Sequence, residues 1–283
     1  MHNIVLNNNV KMPVLGFGVF QLYDAQECTK VVSNALGVGY RLIDTAQAYN
    51  NEEAVGKAIK ESQVPRDELF LTSKIWVSHS GEGSAMASLD ESLRKLGTDY
   101  IDLMLIHQPV GDYYGTYRDL ISALKMGKCR AIGVSNFYAD RLVDLCNFFD
   151  VKPQVNQMET HVFHQQASLR TYLDKFKVQL ESWGPFAEGK NNFFTNPILL
   201  KIAARKERSV AQVALRFLIQ SGIIAIPKSS HVKRMEENIK IFDFELTHAE
   251  MDLIRSLDTK RSVFCDHQDP EFVQALADFR PHS

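Results

Sequence analysis

The chain has 283 residues, 45% of them hydrophobic and 23% charged, with a formal net charge of -2. That is the balance of a soluble globular protein with length enough for a sizeable core. The near-neutral charge speaks against a nucleic-acid partner. No apolar run approaches the roughly 18 residues of a membrane span, and the N-terminal MHNIVLNNNVKMP lacks an apolar signal core, so export is not expected. Cys28, Cys129, Cys146 and Cys265 are scattered with no CxxC pair, the pattern of reduced thiols in a cytoplasmic protein.

In chain order, NIVLNNNVKMPVL reads first as two short strands around Asn7-Asn8-Asn9, because Asn tolerates the positive φ of a tight hairpin turn. Strand-like runs follow at 15–19, 40–44, 69–75, 100–106, 129–135, 153–158, 177–182 and 222–228. Stretches with helical periodicity lie between them, for example 25–39, 84–97, 138–150 and 209–220. The runs are short and rich in Ile, Val and Leu, as for strands buried on both faces. Eight strands alternating with helices predict a parallel sheet closed into an α/β (β/α)8 TIM barrel, one domain over 1–283, with the hairpin plugging the bottom. There is no linker, repeat or low-complexity segment. No coiled-coil heptad or long apolar tail is visible, so a monomer is expected.

Four residues stand at or just past the C-terminal ends of these runs: Asp44, Tyr49, Lys74 and His107. In a parallel barrel those ends converge on one mouth, where barrel enzymes carry their chemistry. Each alone fits a structural role: Asp44 as a cap, Tyr49 as a loop aromatic, Lys74 as a solvated lysine, His107 as a satisfied histidine beside Pro109. Together they form a set that protonates a carbonyl oxygen. Tyr49 is the expected general acid. Lys74, held by Asp44, is expected to lower the phenol from its ordinary value near 10. His107 would donate a hydrogen bond to the substrate oxygen. Two other readings remain open: a Schiff-base aldolase acting through Lys74, and a non-catalytic cofactor-sensing subunit, since fold does not settle function.

The segments DTAQAYNNEEAVG (44–56), Lys74 followed by Trp76, LMLIHQP (103–109), GVSNF (133–137), QVNQMETH (154–161) and IPKSSHVKRMEEN (226–238) run through most of the chain. In order and spacing they resemble the aldo-keto reductase family. The resemblance implies a catalytic tetrad of Asp44, Tyr49, Lys74 and His107, and carbonyl reduction with a nicotinamide cofactor bound across the barrel mouth. It implies that Ser135, Asn136 and Gln157 hold the nicotinamide carboxamide, that Trp183 stacks on its ring, and that Gly184 lies in the pyrophosphate segment. Lys228, Ser229 and Arg234 would take an adenosine 2′-phosphate, which favours NADPH/NADP+, with Glu237 and Asn238 around the adenine. No GxGxxG follows the first strand, so the Rossmann fingerprint is absent.

Phe20 and Trp76 match positions that line the family's substrate site. Tyr23 and Tyr114 would complete an aromatic wall suited to a small-molecule carbonyl substrate. The chain departs from the family's pattern at Gln108 and Gly184. Its short loop after His107 and short tail after Leu257 suggest a prokaryotic-type member with an open pocket. His161 with His164, and Cys265 with His267, fall short of a complete zinc ligand set, so no metal is expected.

Overall fold

Inward-facing positions two apart along each strand run from apolar at one end of the barrel to polar at the other, and this gradient organises the molecule. The structure is a computed structural model and describes residues 2–281. It begins with the antiparallel hairpin β1 (Asn3–Val5) and β2 (Lys11–Pro13). Asn9 takes a φ of 68° at the turn, with Leu6 N–H donating to the Val10 carbonyl at 2.9 Å. Asparagine is among the few residues with a side chain that take this left-handed conformation readily.

The barrel strands follow: β3 (Phe17–Gly18), β4 (Leu42–Asp44), β5 (Phe70–Ile75), β6 (Ile101–Ile106), β7 (Cys129–Ser135), β8 (Val155–Glu159), β9 (Gln179–Trp183) and β10 (Ile224–Ala225). Each pairs in parallel with the next, in sequence order. The ring closes where Gly16 N–H donates to the Ala225 carbonyl at 2.9 Å and Gly18 N–H to the Pro227 carbonyl at 3.2 Å. The predicted (β/α)8 barrel is therefore the observed fold. Every strand-like run overlaps one of these strands, and the four helical stretches appear as helices Ala25–Val38, Ser84–Leu96, Ala139–Phe148 and Val210–Gln220. Local chemistry sets their ends. Asp24 caps the first by accepting from Glu27 N–H at 2.7 Å, and Ser209 with Gln212 forms a capping box at the last.

Two apolar clusters divide the core. Outward-facing Ile43, Leu71, Met104, Ile132 and Leu180 pack under the helices. Inward-facing Leu42, Phe70, Leu103, Leu105, Ala131, Val155 and Ile224 fill the barrel together with Leu6 and Met12 of the hairpin. Asn7 Nδ2 donates to the Pro153 and Lys177 carbonyls at 2.9 and 3.1 Å, just before β8 and β9, so the hairpin seals the N-terminal end of the barrel. Among the described residues no helix is long and apolar enough to cross a membrane.

Candidate active site

At the other end the inward rows turn polar: Leu42 gives way to Asp44, Leu105 to His107 and Val155 to Gln157. Asp44 ends β4, Lys74 sits near the end of β5, His107 follows β6, and Tyr49 closes the short helical turn Gln47–Tyr49. These four meet. Lys74 Nζ donates to Asp44 Oδ1 at 2.7 Å, to the Thr45 carbonyl at 2.8 Å and to the Tyr49 hydroxyl at 3.3 Å. The Tyr49 and His107 ring centroids are 5.6 Å apart and nearly perpendicular. Asp44 and Lys74 are buried, so their attraction is little screened by water.

Burial pushes Lys74 down, but Asp44, Tyr49 and Glu181 outweigh it, and the ammonium is held above its ordinary value. That is the reverse of what a Schiff-base lysine needs. Burial pushes the Tyr49 phenol up, and the neighbouring Lys74 only partly offsets this. The expectation of a lowered phenol is thus corrected: desolvation at the barrel mouth outweighs the cation, and Tyr49 stays protonated at neutral pH. Burial, with Lys74 and His267 nearby, holds His107 well below its usual range, so its ring is neutral. His107 Nδ1 is buried without a partner.

A cavity of about 1450 Å³ opens above this set. Asp44, Tyr49 and His107 line its floor, and it continues past Ser135, Asn136, Gln157, Trp183 and Gly184 to Lys228, Ser229, Arg234, Glu237 and Asn238. The residues expected to hold a cofactor are therefore contiguous, running from the Asp44–Tyr49–His107 floor to the helix Val232–Ile239. Asn136 holds a left-handed φ of 64°, which asparagine tolerates. Its Nδ2 donates to the His107 carbonyl at 3.1 Å, and its Oδ1 accepts from Trp183 Nε1 at 2.9 Å. Gln157 Nε2 donates to Asp44 Oδ2 and Glu181 Oε2, both at 2.8 Å, which leaves Oε1 for the cavity. Lys228 and Arg234 are exposed and have no ion-pair partner among the described residues. Gly184 has a φ of 61°, a left-handed backbone conformation that glycine adopts without strain.

Phe20 and Trp76 line the cavity, with Phe20 5.0 Å from the Tyr49 ring and Trp76 5.0 Å from His107. Tyr23 lines it too, but Tyr114 does not. Tyr114 belongs to the helix Tyr113–Lys125 and packs on Tyr113 and Phe148, which corrects its place in the aromatic wall. The tail after Leu257 folds onto the mouth: Phe264 contacts Trp183, while Phe272 and Leu276 of the helix Pro270–Asp278, and Phe279 beyond it, line the cavity. Trp76 Nε1 donates to the Phe279 carbonyl at 3.0 Å. Glu159 anchors the tail by accepting from Val263 N–H at 2.9 Å and from the Ser262 hydroxyl. Glu181 also escaped the sequence reading; its only signal was a lone carboxylate inside the apolar run VQLESW.

Residues 14–259 match the model of the aldo/keto reductase family. The chain belongs to that family. It is 45% identical to the glyoxal reductase of Bacillus subtilis (strain 168), over 92% of this chain and 94% of that one. It also resembles the crystal structure of an aldo/keto reductase from Brucella melitensis, at 42% identity and a TM-score of 0.87, over 91% of this chain and 99% of that one. A Bombyx mori aldo-keto reductase solved in complex with NADP aligns at 32% identity and a TM-score of 0.88, over 99% of this chain and 98% of the other. The protein is thus an oxidoreductase of the aldo/keto reductase family.

Proposed function

We propose that the protein reduces small aldehydes and ketones to alcohols with NADPH, as a single barrel acting as a monomer. The carrying observation is the hydrogen-bonded chain from Asp44 through Lys74 to Tyr49, ending beside His107 in one cavity. Bound along the groove, NADPH would supply a hydride to the carbonyl carbon. Ser135, Asn136 and Gln157 would hold its carboxamide and Trp183 its ring. Gly184 would accommodate the pyrophosphate segment through its backbone. Lys228, Ser229 and Arg234 would hold the 2′-phosphate, with Glu237 and Asn238 at the adenine. The fit rests on the unshared Gln157 Oε1, on two unpaired cations at the far end of the groove, and on a cavity long enough to join them.

Tyr49 then gives its proton to the carbonyl oxygen. A half-buried, desolvated phenol keeps that proton until negative charge develops on the substrate. The Lys74 ammonium at 3.3 Å then stabilises the phenolate left behind. Asp44 keeps Lys74 charged and fixed in place. The neutral His107 donates a hydrogen bond that orients the carbonyl. Phe20 and Trp76 exclude water from one side of the substrate. The aldolase reading finds no support, because Lys74 is held charged by a buried carboxylate.

The name of the B. subtilis relative makes small dicarbonyls the class to assay first. The test is NADPH consumption against a panel of aldehydes, dicarbonyls and keto-sugars. Turnover of one class is expected. NADPH binding with no turnover of any carbonyl would favour the sensing role instead.

A further inference from the structure

Glu181 is a carboxyl group with no exposure, one step along the sheet from Gln157, and no part of the proposed proton path requires it. Its Oε2 accepts from Gln157 Nε2 at 2.8 Å, and its Oε1 has no partner. A protein selecting only for stability would place an apolar side chain there, as β10 does with Ile224 in the paired position. The titratable groups that reach it are Asp44 from β4, Lys74 from β5 and Tyr49 from the turn after β4; β8 faces it with the uncharged Gln157.

Gln157 sits between two carboxyl groups. Both hydrogens of its amide nitrogen are taken, one by Asp44 Oδ2 and one by Glu181 Oε2. The amide therefore cannot flip without setting its oxygen against an acceptor. Two acidic side chains also share one ammonium, and Asp44 makes the direct contact with it at 2.7 Å.

We propose that Glu181 is a positioning residue that locks the Gln157 amide with its oxygen toward the cofactor and sets the charge beside the Asp44–Lys74–Tyr49 chain. This deepens the reductase reading and rests on Gln157 as a carboxamide ligand. Burial, then the Asp44 charge, pushes the Glu181 carboxyl up to about 8, with Gln157 and Lys74 pulling the other way. Below that pH the cluster holds one anion and one cation. Above it a second anion appears, which raises the Tyr49 phenol further and makes it a weaker acid. Reduction therefore slows as pH rises through about 8.

The test compares Glu181→Gln and Glu181→Leu with wild type, using NADPH binding and the pH profile of glyoxal reduction. Glu181→Gln retains an acceptor for Gln157 but cannot ionise, so it should bind NADPH as wild type does and lose the alkaline limb. Glu181→Leu removes one of the two acceptors that fix the amide, leaving only Asp44 Oδ2, and should weaken NADPH binding about tenfold. Wild-type binding in Glu181→Leu, or an unchanged alkaline limb in Glu181→Gln, overturns the proposal. Should either variant fail to fold, infrared difference spectra of the wild-type protein decide. A protonated-carboxyl band lost at the midpoint of the limb supports the proposal, and a limb without such a band overturns it. Failure of the functional reading looks different, because wild type itself would then reduce no carbonyl, whether or not it binds NADPH.

Discussion

The two ends of the barrel interior are built from the same strands and obey opposite rules. At the bottom, Leu42, Phe70, Leu103, Val155 and Ile224 meet Leu6 and Met12 of the hairpin, and contact area and shape hold them together. Two to four residues further along, Asp44, Lys74, His107 and Gln157 are buried almost as deeply but are held by directed hydrogen bonds and one ion pair. Closing the bottom makes the barrel a dry, rigid cylinder. In that cylinder the charges at the mouth are weakly screened and their positions set by backbone geometry. The cost appears as buried polar atoms without partners at His107 Nδ1, Thr72 Oγ1 and Glu181 Oε1. The apolar end supplies the stability and the polar end spends some of it on function.

Breaking the mouth should have the largest effect. Lys74→Met strands Asp44 as a buried anion, so denaturant unfolding should show a loss of about 3–5 kcal/mol, with reductase turnover lost as well. At the bottom, Met12→Ala should cost about 2–5 kcal/mol in the same unfolding experiment while leaving kcat of the folded fraction unchanged. A fall in kcat matching the mouth variants would mean that the two ends are not separable. At the far end of the groove, Arg234→Ala should weaken NADPH by about tenfold or more, as expected for one charge-assisted contact, and leave NADH nearly unaffected. Equal losses for both cofactors in calorimetric titration would remove the 2′-phosphate assignment.

The smallest effect is a pH dependence of stability. Glu181 is raised from 4.5 to about 8, so the folded state keeps a proton that the unfolded chain has released. The linked stability is present in full below pH 4.5 and is lost as pH rises toward about 8. The Tm of wild type relative to Glu181→Gln should therefore fall across that window and level off above it. A constant difference across the window would contradict the assignment.

Much of this was legible in the sequence because the barrel writes its period into the chain. Short apolar runs ending in a polar residue located β4, β5 and β6 and the groups at their ends. The left-handed turn at Asn9 was visible in a run of three asparagines. What escaped depended on contacts distant in sequence. Tyr114 looked like a wall residue, but its helix turns it toward Phe148. The tail was read only as short, yet Phe279 reaches Trp76 across the mouth, and nothing local in 270–279 encodes that contact. Tyr49 was expected to be lowered because a cation is easy to read from residue types, whereas the depth of burial that outweighs it exists only in three dimensions. Glu181 was hidden for the same reason: a glutamate in a strand-like run is ordinary until the barrel closes around it.

The most direct measurement of the central claim pairs NADPH affinity with single-turnover glyoxal reduction in Tyr49→Phe and wild type. Removing one hydroxyl leaves the groove, the Asp44–Lys74 pair and the aromatic contacts with Phe20 and His107 in place. NADPH affinity should match wild type, and the reduction step should slow by roughly 10²–10⁴-fold, the range of a positioned general acid. Reduction at close to the wild-type rate, with NADPH bound normally, would contradict the account, because the proton would then come from a group other than Tyr49.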